Sequence, residues 1–171
     1  LASYLAQYGI AVQSDLVFDV RSYEPINVPD VFDIIIIPYP YWVRIPETDP
    51  QISGAVKSVV FPWPSSLRII EPTETTVDVE EVIALIQTTR FAAIDEDFQN
   101  LAPRSPHLEE VAEESQGERL LAVAVTGTRC PPGEPECDKD LSDKHFRIIV
   151  ATDSDWINEG WANQSPGHVE M

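Results

Sequence analysis

The chain alternates between short apolar bursts and connections rich in proline or acid. Leu1 to Tyr8 places apolar residues at 1, 2, 5 and 6, and Gly9 follows, so the spacing predicts a helix closed by a glycine C-cap. Leu16 to Val20 predicts a short strand, followed by a loop holding Pro25 and Pro29. Phe32 to Ile37 is apolar except for Asp33. Its consecutive isoleucines predict a strand buried on both faces, ended by Pro38 and Pro40. Val56 to Phe61 and Leu67 to Ile70 predict two further strands, with a Pro-Trp-Pro-Ser-Ser segment between them that breaks any ladder. Glu81 to Thr89 fits a helix through Val82, Leu85 and Ile86. Val77, Val79 and the neighbouring threonines favour a strand, which is the reading adopted. Ser105 to Gly117 is polar and acidic and predicts a mobile loop. Leu120 to Val125 and Phe146 to Ala151 predict the last strands, and Ser154 onward the start of a helix. Between those strands, 128–144 reads as an inserted hairpin or loop.

Short buried strands with helical ends predict a mixed α/β sheet in a single domain over residues 1–171. No internal repeat is visible. A chain of this size buries roughly 70% of its unfolded surface, so its core needs neither metal nor disulfide.

Charge narrows the function. Eleven Lys and Arg stand against 29 Asp and Glu, a formal charge of −18. Such a surface repels nucleic-acid phosphates and anionic lipids, which excludes nucleic acid as the expected partner. Solubility, a cationic partner or divalent-ion binding are the readings that remain. No apolar run approaches the ~20 residues that span a bilayer. The chain has no initiator Met and opens as if on the end of a helix, so it reads as a segment of a larger protein.

Cys130 and Cys137 flank Pro-Pro-Gly-Glu-Pro-Glu, a turn-rich sequence able to bring them together. Their spacing matches neither a CxxC redox motif nor a zinc site. A disulfide there would stabilise by about 2.5 kcal/mol and implies an oxidising compartment; two free thiols in a loop are the alternative.

Tyr39, Tyr41 and Trp42 follow one predicted strand and Trp63 follows another, while Trp156 and Trp161 lie near the end. The first four suggest an aromatic cluster at one sheet edge, suited to a sugar or a protein partner or simply packed over strand ends. Asp153 and Asp155 follow the last strand, where α/β folds place ligands. Asp153 or Ser154 would cap the next helix, and paired carboxylates are also a calcium or magnesium motif.

Catalytic constellations are thin. His107 and His168 lie in a polar stretch and near the chain end, and His145 has no nucleophile elbow beside it. Acidic pairs such as Asp95 with Asp97, or Glu109 with Glu110, read as solvated faces rather than a glycosidase pair. There is no GxxxxGK[ST] and no GxG, so this is not a nucleotide-binding subunit, and no cofactor is expected.

Three segments carry a resemblance: LAQYGIAVQSDLVFD, VVFPWPSSLRI and RIIVATDSDWINEGWANQSPG. In that order they resemble the auxiliary component of gliding-motility-type ABC transport systems, a domain related to one in intraflagellar transport subunits. The resemblance implies a mostly parallel, flavodoxin-like or amidotransferase-like core, truncated at both ends. It implies a parent protein anchored in the membrane, an extracytoplasmic location, and permease or ATPase subunits as partners. The cysteine-bearing stretch departs from the family's usual form. The leading expectation is a non-catalytic domain acting by protein or ligand binding. A sugar-binding module and a metal-dependent hydrolase are the alternatives.

Overall fold

The computed structural model describes residues 1–30, 33–46, 58–74, 77–97, 101–103, 106–129 and 145–155. Helix α1 (Ala2–Ala6) leads through Gly9 into strand β1 (Ile10–Val12). Gly9 takes φ +78, and a Cβ there would stand 2.9 Å from the Ile70 carbonyl oxygen, so both backbone shape and close approach require glycine. The order continues with β2 (Leu16–Asp19), β3 (Ile26–Pro29), β4 (Ile34–Ile37), β5 (Trp42–Ile45), β6 (Val59–Pro62), β7 (Leu67–Ile69), β8 (Val77–Gln87) and β9 (Ala92–Asp95). Helix α2 (Pro106–Ser115) then precedes β10 (Leu120–Arg129) and β11 (His145–Ala151).

Every described strand pair is antiparallel, which overturns the expected mostly parallel, flavodoxin-like α/β core. The connections explain it. Parallel neighbours need crossovers of a dozen or more residues, usually helical, whereas the paired β3 and β4 follow each other within a few residues. Short apolar runs look alike in either kind of sheet, so burst length alone could not decide.

The largest sheet runs β1-β7-β10-β11, with β8 on the other side of β10. Three two-stranded ladders complete the fold: β2-β9, β3-β4 and β5-β6. Gly127 in β10 faces the Asp78 carbonyl and the Phe146 ring, space that a Cβ would fill. The lean to strand over 81–89 holds as β8, although β8 begins earlier, at Val77.

Three apolar clusters hold these parts together. One joins Val17, Val43, Ile45, Val59, Phe61, Ala92 and Leu121. A second packs Leu5 and Ile10 against Val123, Val125 and Val150. The third gathers Phe18, Tyr39, Tyr41 and Ala93 beneath Leu108 and Ala112 of α2. Strands β2 and β9 are therefore buried on both faces, Val17 and Ala92 serving one cluster and Phe18 and Ala93 another.

Two local expectations fail. The acidic stretch expected to be a mobile loop is α2. Leu108, Val111, Ala112 and Ser115 fall on one face at helical spacing, the four glutamates take the other, and Pro106 suits the first helical position. The isoleucine strand exists as β4 but is not buried on both faces: Ile34, Ile35 and Ile36 are 62%, 47% and 64% exposed. β4 pairs only with β3, so no layer covers either side among the described residues.

Candidate functional site

The two aromatic segments predicted to meet at a sheet edge do meet. Tyr39 and Tyr41 lie in the turn between β4 and β5, Trp42 opens β5, and Trp63 follows β6; the β5-β6 ladder, which pairs Trp42 with Pro62, brings them side by side. Tyr39 is 5.4 Å from Trp42 and 6.1 Å from Trp63, centroid to centroid, and Trp42 is 5.7 Å from Trp63. All three contacts are edge-to-face, the arrangement favoured by the ring quadrupoles. The Trp63 indole N–H donates to the Tyr39 hydroxyl at 3.0 Å.

The rings differ in exposure. Tyr41 and Tyr39 are buried, Trp42 is half-buried, and Trp63 is 36% exposed. Trp63 also takes φ +49, an uncommon conformation for a bulky side chain. Prolines at 62 and 64 flank it, and its own N–H donates to the Tyr41 carbonyl at 2.9 Å. The cluster thus has a fixed base of tyrosines and a tryptophan held at the rim. The Pro-Trp-Pro sequence signalled a break in the ladder but not the left-handed backbone within it.

The base is anchored by an acid that sequence reasoning placed on a solvated face. Asp95 is 1% exposed, and its Oδ2 accepts the Tyr41 hydroxyl at 2.5 Å while Oδ1 accepts the Asp97 N–H at 2.9 Å. Burial pushes the Tyr41 hydroxyl well above its ordinary value of 10.0, and the Asp95 carboxylate adds to the rise. Two other buried acids also hold structure. Asp19 accepts the N–H groups of Arg21 and Ser22, both at 2.9 Å, and the Thr89 hydroxyl at 2.6 Å. Asp15 accepts the Ser66 N–H at 2.7 Å and its hydroxyl at 2.6 Å.

A cleft of about 610 Å³ opens beside that Asp15–Ser66 contact, walled by Gln13, Arg68, Glu118 and Arg119 among others. None of the four clustered aromatics lines it. Arg119 donates to the Ser115 carbonyl, so the cation sits at the C-terminal end of α2.

Asp153 and Asp155 lie apart from the aromatics in sequence and form a turn of their own. Asp153 Oδ1 accepts the Asp155 N–H at 2.7 Å, the bond a capping residue makes. The helix expected beyond it lies outside the described residues, as do Cys130, Cys137, Trp156, Trp161 and His168. His145 is exposed at the start of β11, with Nδ1 3.9 Å from a Glu80 oxygen.

Residues 1–169 match a family model described as an ABC-type uncharacterized transport system. No curated protein and no solved structure matches the chain.

Proposed function

The chain belongs to the ABC-type uncharacterized transport system family, as an auxiliary component of such a system, and on that premise we propose that it is a non-catalytic, extracytoplasmic binding domain of the gliding-motility type. Its partners in this reading are other proteins of the system, the permease or ATPase subunits, with the parent chain anchored in the membrane. Among the described residues no helix is long and apolar enough to cross a membrane.

The observation that carries the reading is Trp63. A bulky residue at φ +49 costs on the order of 1–3 kcal/mol of backbone strain. That cost is spent on holding an indole at the surface, fixed by Tyr39 and braced by Trp42. A pre-positioned tryptophan beside polar groups is what protein interfaces use as an anchor, because little freedom is lost on docking. A sugar would need an open ring face. Tyr39 and Tyr41 are buried and Trp42 is half-buried, its ring edge-to-face with Trp63, so three of the four rings offer little open face. The non-catalytic reading is supported by the buried acids, whose oxygens accept bonds that close turns and join strands.

The test is co-purification of the full-length protein with the permease and ATPase of its own system in detergent. Trp63→Ala should weaken the association while leaving the chain folded. Undiminished association in that variant would overturn the reading. The location is tested separately by thiol titration of protein purified without reductant: no free thiol is expected, and two would remove the argument for an oxidising compartment.

A further inference from the structure

The β3-β4 hairpin groups more exposed isoleucines than any other element among the described residues. Successive side chains of a strand point to opposite faces. Exposure of Ile34, Ile35 and Ile36, together with Val28 at 37%, therefore leaves both faces of the hairpin open. Among the described residues only its base is covered: Ile26 packs against the cluster that contains Tyr39 and Tyr41. A lone two-stranded ribbon is marginal in water, and an uncharged isoleucine edge is a template for another strand.

The backbone fixes which groups that edge offers. The Asp30 N–H donates to the Asp33 carbonyl at 2.8 Å, which sets the phase of the ladder. Pairing then alternates from there: Val28 with Ile35 and Ile26 with Ile37 face inward. Ile34, opposite Pro29, and Ile36, opposite Asn27, turn their N–H and C=O groups outward. The outward Ile34 N–H donates instead to the Asp33 carboxylate at 2.8 Å. Ile36 offers a donor and an acceptor to the open edge, and no described strand pairs there.

We infer that the open edge of β4 receives an extended, β-branched apolar segment flanked by lysine or arginine, supplied by another protein of the transport system and added as a third strand. Charge selects this occupant over a second copy of the chain. The hairpin tip carries Asp30 and Asp33 on a molecule of net charge −18, so a second copy brings like charge while basic flanks bring the opposite one. The inference rests on the reading of the chain as a protein-binding domain and names the chemistry of its partner.

A synthetic peptide with a Val-Ile-Val-Ile centre and two lysines at each end is the probe, read by fluorescence anisotropy against the chain. Binding is expected, falling as salt rises. A glutamate-flanked counterpart should bind weaker by about tenfold or more. Ile36→Pro removes the outward N–H, which is not a donor in the β3-β4 ladder, and should abolish binding. Ile34→Thr with Ile36→Thr keeps strand preference while removing the apolar surface, and should weaken binding even if the proline variant misfolds. Equal binding of the glutamate peptide, or full binding by a folded Ile36→Pro chain, would overturn the inference. So would sedimentation showing a dimer that Ile36→Pro dissociates, since the edge would then belong to a second copy. Association with the permease that depends on Trp63 but ignores Ile36→Pro would leave the broader reading standing and remove this one.

Discussion

Strand β10 and the β3-β4 hairpin are built from similar residues and end in opposite environments. Leu121, Val123 and Val125 are at most 1% exposed, whereas Ile36 is 64% exposed. The difference is not in the residues but in their neighbours. β10 is paired on both sides, by β8 and β11, and packs against Ile10 and Leu5 on one face. The hairpin has one ladder and no covering layer among the described residues. Apolarity makes both segments strands; only tertiary contacts decide which is core.

That contrast has energetic consequences that separate the regions. Leu121→Ala, in the middle of the first apolar cluster, should cost about 2–5 kcal/mol in urea unfolding, through lost burial and the cavity left behind. A cost near zero would mean that β10 is not the centre of the core.

Tyr41→Phe comes next, because it probes the ground on which the hairpin's base stands. Losing the hydroxyl removes a short donor from the buried Asp95 carboxylate, and about 1–3 kcal/mol is expected. The pH dependence has a definite sign. The folded hydroxyl titrates above its unfolded value, so its contribution is complete below pH 10 and is lost as pH rises beyond it. Melting temperature should fall on the alkaline side in wild type and less steeply in Tyr41→Phe. Equal slopes would contradict the burial of that hydroxyl.

At the end of β11, Asp153→Ala should cost about 0.5–2 kcal/mol and Asp153→Asn less, because asparagine caps nearly as well. Neither loss should respond to chelator or to added calcium or magnesium. A metal-dependent rise in wild-type melting temperature that vanishes in Asp153→Asn would replace the capping account with an ion site.

The smallest effect belongs to the hairpin. Ile36→Thr keeps a β-branched side chain on an exposed strand, so stability should change by no more than about 0.5 kcal/mol. A loss as large as that of Leu121→Ala would return β4 to the core.

Much of the strand inventory was legible because apolar bursts bounded by proline or by polar and charged residues mark strands whatever sheet they join; β2, β4, β6, β7, β10 and β11 were found this way. β3, β5 and β9 were not, nor was the three-residue β1. Pro25 and Pro29 disguised the first, and short, mixed sequences such as Trp42-Val-Arg-Ile and Ala92-Ala-Ile-Asp hid the others. Helix α2 was missed because its charge outweighed the spacing of Leu108, Val111, Ala112 and Ser115. Direction of pairing depends on how connections run, and burst length carries none of that.

The site was legible to a similar extent. Prolines after strands placed Tyr39, Tyr41, Trp42 and Trp63 at strand ends, and the β5-β6 ladder joined them. The Tyr41–Asp95 bond links residues 54 apart in sequence, across strands whose pairing was unknown, so Asp95 read as a surface acid. The backbone of Trp63 had no sequence signal beyond its flanking prolines.

Amide hydrogen exchange compares the two strands most directly. In the free protein the outward Ile36 amide should exchange rapidly, while Val123 and Val125 exchange only on global unfolding. The lysine-flanked peptide should slow Ile36 and leave the β10 amides unchanged. Protection of Ile36 in the free chain equal to that of Val123 would contradict the account, because the edge would then already be paired.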